Sequence, residues 1–237
     1  MKHLIAALLT ALILAGCNTV TPHLSVYDGL LPPTYQVKDS PVKFQPRSLR
    51  RKSVAIVTTT NFDNYTKQWI ARFEEGGSQK QEKNMKFAAT MMSTSGGAAA
   101  PVGQGLQQGL GAMRSGRQAW RKASDPRILV DRVNSVFKHT FRRVTTATDF
   151  ADARKKKVDY IALVDYQFTA NAWGSAFSGH AGVYLLDSKV RRVLQSTSEI
   201  TVQRGGDITG VSTMERVLNT NMNRVLAGLN ARFHPRR

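Results

Sequence analysis

The run VDYIALVDYQF at residues 158–168 constrains what this chain can fold into more than any other stretch. Its first half is apolar on both faces, and Val164, Tyr166 and Phe168 then alternate with polar neighbours. A strand of that kind is covered on both sides, so it belongs in the middle of a sheet whose two faces are both packed. The rest of the fold must supply those two covers.

The flanking elements can be read in the same way. Ser53 to Thr60 (SVAIVTTT) is a β-branched run that reads as the first buried strand. A turn at Asn61 to Asn64 is expected next, and then a helix over Thr66 to Glu75 with Trp69, Ile70 and Phe73 on one face. Asp125-Pro126 is a helix start, and Leu129, Val133, Val136, Phe137 and Phe141 follow at helical spacing up to Arg142 and Arg143. Val144 to Thr148 is a short strand, and Thr148 or Asp149 caps a short helix reaching Lys157. Val183 to Leu186, a turn at Asp187-Ser188-Lys189, and Val190 to Val202 form an antiparallel hairpin. Ser212 to Glu215 is a capping box, opening a helix whose stripe is Met214, Val217, Leu218, Met222, Val225, Leu226, Leu229 and Phe233. The expected class is α/β: a two-layer or three-layer sandwich with a mixed sheet and amphipathic helices. A long Gly-rich insertion, residues 76–123, follows the first strand.

That insertion carries no charge from Phe87 to Met113 and leaves three readings open. As a helix it lines up Val102, Leu106, Leu110, Met113 and Trp120 on one side, candidates for membrane or oligomer contact, with Gly105 and Gly109 allowing close backbone approach. As two strands around Gly96 to Pro101 it has the length of a membrane hairpin, about ten residues each. As a loop it is held open by the entropic cost of ordering so many glycines.

The N-terminus sets the address. Lys2, an apolar run from Leu4 to Leu14, and small residues ahead of Cys17 have the layout of a secretory signal, and the run is too short for a permanent span. Leu14-Ala15-Gly16-Cys17 resembles the lipobox of bacterial lipoproteins, in which the leader is removed and the cysteine is acylated. That resemblance implies a signal peptide at 1–16, lipidation at Cys17 and, with Asn18 rather than Asp next, an outer-membrane anchor facing the periplasm. Residues 17–47, with Pro22, Pro32, Pro33, Pro41 and Pro46, read as a lipidated tether, although Leu30, Leu31, Tyr35 and Phe44 suit packing on the domain or on a neighbouring subunit. A single α/β domain is then expected over 48–237. Cys17 is the only cysteine, so neither an internal disulfide nor a cysteine-based metal site is available.

The net charge of +18 implies attraction to polyanions. Behind a lipobox those are anionic envelope components or acidic partner proteins, and nucleic acid falls behind. The candidate contacts are Arg50, Arg51 and Lys52, and Arg154, Lys155, Lys156 and Lys157. No catalytic, cofactor-binding or metal-binding constellation is expected: His23, His139, His180 and His234 lack ligand spacing, and no nucleophile elbow or phosphate loop is present. His180 and His139 read as surface or boundary residues. Asp159, Asp165 and Asp187 are the one set that convergence could turn into an acid–base pair, with Asp159 preceding a strand and Asp187 forming a turn as the plainer reading.

VAIV, LVDRVNSVFKHTF running into RRVTTAT, DFADARKKK, VDYIALVDYQF and VYLLDSKVRRVLQ, together with the lipobox, resemble the CsgG/LpoB/PelC-like group of periplasmic α/β lipoproteins related to the curli secretion channel. The resemblance implies a non-enzymatic, oligomeric scaffold in secretion or envelope assembly. The alternatives are a monomeric peptidoglycan-synthase activator of LpoB type and a protein that binds anionic lipid or envelope polymer.

Overall fold

The computed structural model describes residues 25–32, 34–73, 118, 121–122, 124–170, 176–203 and 211–234. Cys17, the expected signal peptide at 1–16, and Val102, Leu106, Leu110, Met113 and Trp120 of the expected insertion lie outside them. Five strands form one mixed sheet: β1 (Ser53–Thr58), β2 (Arg143–Thr146), β3 (Tyr160–Ala170), β4 (Ala176–Asp187) and β5 (Arg192–Gln203), in the order β2-β1-β3-β4-β5. β1 is parallel to both β2 and β3, while β3, β4 and β5 run antiparallel in turn. The VDYIALVDYQF strand is therefore central, as its two apolar faces require.

Among the described residues the sheet is packed by α1 (Thr60–Phe73), α2 (Arg127–Thr140), α3 (Phe150–Lys155) and α4 (Val211–Phe233). The chain steps outward from β1 to β2 and then back past β1 to β3. Right-handed crossovers that move in opposite directions must lie on opposite faces. Accordingly α1, α2 and α4 pack through Phe62, Leu129, Phe137, Val225 and Leu229 on the sheet face of Val54, Ile56, Val164 and Tyr166. On the other face α3, through Phe150 and Ala153, joins Ala55, Val57, Ile161 and Leu163. The N-terminal segment completes that second cover. Val26 is buried there, Leu30 and Leu31 pack beside it, and Phe44 reaches round to Phe233; Tyr35 is exposed.

Local chemistry fixes the helix starts. Asp125 accepts from the Arg127 amide at 3.0 Å, and Asp149 accepts from the Asp152 amide at 2.7 Å. The expected turn at Asn61 to Asn64 is instead helix from Thr60, because Thr59 caps it by accepting from the Phe62 amide, and Asn61 and Phe62 are buried. α4 begins at Val211, one residue before the capping-box serine. β4 begins at Ala176, seven residues ahead of the expected start, and β5 begins at Arg192 rather than Val190. Val190 has φ +62 because the Asp187 carboxylate gathers the Lys189 and Arg191 amides, both at 2.9 Å, into a wider turn.

One glycine sets how closely α4 lies on the sheet. A Cβ at Gly228 would run into the Ser196 hydroxyl, which donates to the Val225 carbonyl at 2.8 Å. Gly228→Val should cost about 1–3 kcal/mol by overpacking. The thermal midpoint should fall, and Ser196→Gly in the same chain should recover part of the loss. An unchanged midpoint would show that α4 can shift freely.

Candidate functional site

The two expected basic clusters are about a hundred residues apart in sequence and end up at the same place. Arg50 and Arg51 close a 3₁₀ turn, Pro46–Arg51, immediately ahead of β1, and both are exposed. Arg154 and Lys155 end α3, and Lys156 and Lys157 form the turn that leads to β3; all four are exposed. Parallel strands start at the same end of a sheet, and the register puts Ser53 beside Arg143 and Val54 beside Tyr160. The Arg142 amide donates to the Lys52 carbonyl at 2.9 Å, and Arg143 Nη2 donates to the Lys156 carbonyl at 3.2 Å. Residues outside the expected set join them there. Lys138 lies in the last turn of α2, Arg142 and Arg143 open β2, and Lys189 sits in the β4–β5 turn, where Asp187 pairs with Tyr160. The carbonyl ends of α2 and α3 point the same way and favour cations.

Carboxylates take up some of this charge. Lys52 Nζ meets Asp159 at 3.0 Å, and the Ser53 amide and hydroxyl each donate to Asp159 at 2.8 Å. Partial burial works against the Asp159 carboxylate, but these donors outweigh it and hold its pKa below the ordinary value, while the bond to Asp159 raises that of Lys52. Lys156 pairs with Asp152 at 2.8 Å, Arg191 with Asp187 at 2.7 Å and Arg192 with Asp39 at 2.8 Å. Among the described residues, Arg50, Arg51, Lys138, Arg142, Arg143, Arg154, Lys155, Lys157 and Lys189 form no ion pair. Such an array attracts anions by Coulomb forces.

Midway along β3 and β4, just past the end of β1, lies a second polar cluster that the sequence did not reveal. Asp165 is fully buried; Thr59 Oγ1 donates to one of its oxygens, and His180 Nε2 lies 3.2 Å from the other. His180 Nδ1 faces Glu199 at 3.5 Å, and the Tyr184 hydroxyl is 3.4 Å from Nε2. Gly182 makes room for this, since a Cβ there would stand 2.9 Å from the Tyr184 ring and 3.2 Å from His180. Burial pulls the His180 pKa down, but the bond and charge of Asp165, with those of Glu199, outweigh it and hold the imidazole above its ordinary value. Both ring nitrogens face carboxylates, which suits a pin joining β1, β3, β4 and β5 better than a base waiting for substrate. His139 and His234 are exposed. Asp159, Asp165 and Asp187 do not converge: Asp159 and Asp187 lie at the cationic end, holding Ser53 and a turn, and Asp165 lies further up β3.

Fold and site define a mixed α/β sandwich with a cationic end where its parallel strands begin. No helix among the described residues is long and apolar enough to cross a membrane. No family model matches the chain, and no curated protein matches it. Among solved structures, it is similar to a point variant of the PelC dodecamer from Paraburkholderia phytofirmans, at 13% identity and a TM-score of 0.33, covering 76% of this chain and 90% of that one. It is also similar to the PelC dodecamer of the same organism in a second space group, at 13% identity and a TM-score of 0.33, covering 86% and 97%.

Proposed function

We propose that the protein is an outer-membrane lipoprotein, anchored through Cys17 and facing the periplasm, that acts without catalysis as an oligomeric scaffold in secretion or envelope assembly and engages an anionic partner through its cationic end. The observation that carries the reading is the gathering of basic clusters from 50–52, 142–143 and 154–157 at one end of the sheet, where many meet no carboxylate among the described residues. The leader and Leu14 to Cys17 supply the address. The engagement of both His180 nitrogens supports a non-enzymatic role.

Full-length acylated protein in detergent should therefore run as a discrete oligomer and retain polyphosphate at low salt. Polyphosphate affinity should fall steeply as salt rises, because exposed charges are screened beyond about 10 Å at 0.1 M. R143E/K155E should weaken retention without changing oligomer size. A monomer that still binds polyphosphate would move the reading to an activator or a polymer-binding protein, and salt-independent binding would reject electrostatic recognition.

A further inference from the structure

We infer that the cationic end is a membrane-docking surface, which seats on the anionic phospholipid headgroups of the leaflet that holds the acyl anchor. This rests on the reading above and goes further by naming the partner and the way it is met.

The first support is the shape of the array. Its cations come from every layer of the fold: Lys138 from the helical face, Arg142 and Lys157 from the segments that lead into β2 and β3, Arg154 and Lys155 from the opposite face, and Lys189 from the β4–β5 turn. With strands about 4.8 Å apart and layers about 10 Å apart, they spread over two dimensions rather than along one groove. Their side chains are long, exposed and unpaired by carboxylates among the described residues. A two-dimensional field of such groups matches a plane of phosphates, each cation near such a surface being worth about 1 kcal/mol, or about fivefold in binding.

A protein partner fits less well, because stable protein interfaces centre on buried aromatic or apolar anchors. Among the described residues the exposed large hydrophobics are Tyr35 and Val42, both in the N-terminal segment rather than in the cationic array.

Tether length is the second support. The described chain begins at Ser25, and the Asp28 carbonyl accepts from Thr60 at 2.6 Å. The neighbouring Thr59 amide bonds to the Val164 carbonyl, which places the exit of the tether level with the middle of β3. From there to Asp159, at the cationic end, is about 17 Å along the strand. The stretch from Cys17 to Ser25 spans at most about 29 Å. An anchor at Cys17 therefore leaves enough slack for the cationic end to turn down onto its own leaflet, and tethering keeps it at high local concentration there.

The test uses full-length acylated chain reconstituted in phosphatidylcholine vesicles, with or without phosphatidylglycerol. Cys17 is the sole cysteine, so Lys157→Cys or Ser178→Cys gives one labelling site at either end of the molecule. Energy transfer to an acceptor in the bilayer should rise for the label at 157 when phosphatidylglycerol is added. It should fall or stay level at 178, and high salt should erase the difference. R143E/K155E should weaken the effect by about fivefold or more per reversed cation. Equal transfer from 157 in both lipids at low salt would overturn the docking; if polyphosphate still binds, the cationic-end reading survives it, and if polyphosphate does not bind, both fall. Protein that floats with phosphatidylglycerol vesicles but not with neutral ones would keep the docking and lose the anchor.

Discussion

Phe137→Ala should lower the free energy of unfolding by about 3–5 kcal/mol, and a shift of that size would mark Phe137 as the hub of the larger core. Its side chain is completely buried. Its ring meets Phe141 edge-on at 5.3 Å and Phe233 at 5.8 Å. Phe141 in turn meets Tyr160 and Phe233, each at 5.9 Å, and Phe233 meets Phe44 at 6.0 Å. The hole left by truncation would be walled by Phe141 at the end of α2 and Phe233 of α4, which Tyr160 of β3 and Phe44 of the N-terminal segment back in turn. Four elements cannot close on one void together, so the cavity term adds to the lost transfer energy. The urea midpoint should drop with little change in the denaturant slope, and Val136→Ala, next along α2 and only half-buried, should shift it far less. Equal shifts for the two would show that the rings repack around the gap. The site is tied to this hub, since Phe141 leads directly into Arg142 and Arg143, so loosening it should also blur the cationic end.

How much of this was legible depended on what each feature needs in order to show. The central strand and α2 declared themselves because their apolar periods are long and uninterrupted, and the Asp125 and Asp149 caps are local chemistry. The first half of β4 did not, because Ser178-Gly179 and Gly182 read as loop. Those glycines make way for neighbouring rings, which no local pattern announces. Val190 looked like strand because it is β-branched, and the turn that captures it is built by Asp187 three residues earlier. For the site, each basic residue could be read but their meeting could not. A signal was present: RRK precedes β1, RR opens β2 and RKKK precedes β3, and parallel strands begin at one end. Recognising it requires knowing that the three are parallel, which depends on the crossovers. The Asp165–His180 contact is harder still, since it rests on the register that sets Asp165 opposite Gly182, two residues along β4 from His180.

That contact carries the other large effect. Asp165→Leu should destabilise the fold by about 3–5 kcal/mol, because removing one partner of a buried pair leaves the other charge or dipole uncompensated. Asp165 is completely buried, the His180 side chain is 13% exposed, and Thr59 would lose its acceptor as well. The double change D165L/H180L should be milder than the single one, since it removes both the charge and the group that needed it. The pH dependence separates this ion pair from mere packing. The folded-state pKa of His180 is raised above its ordinary value, so the stabilisation is fully present below about 6.5 and is lost as pH rises through the raised value. Among the described residues, Asp165, Glu199 and the Tyr184 hydroxyl face the ring. The Glu199 side chain is 82% exposed and screened by water, so Asp165 must supply most of the effect. In Asp165→Asn, burial is left nearly unopposed and should carry the His180 pKa downward. The wild-type urea midpoint should therefore fall between pH 6 and pH 8, and that fall should vanish in Asp165→Asn, with the His180 imidazole proton resonance titrating at a lower pH. Parallel midpoints in the two proteins across that range would mean that His180 is held by packing alone, and the cluster would then be a shape-filling feature of β4 rather than an electrostatic pin.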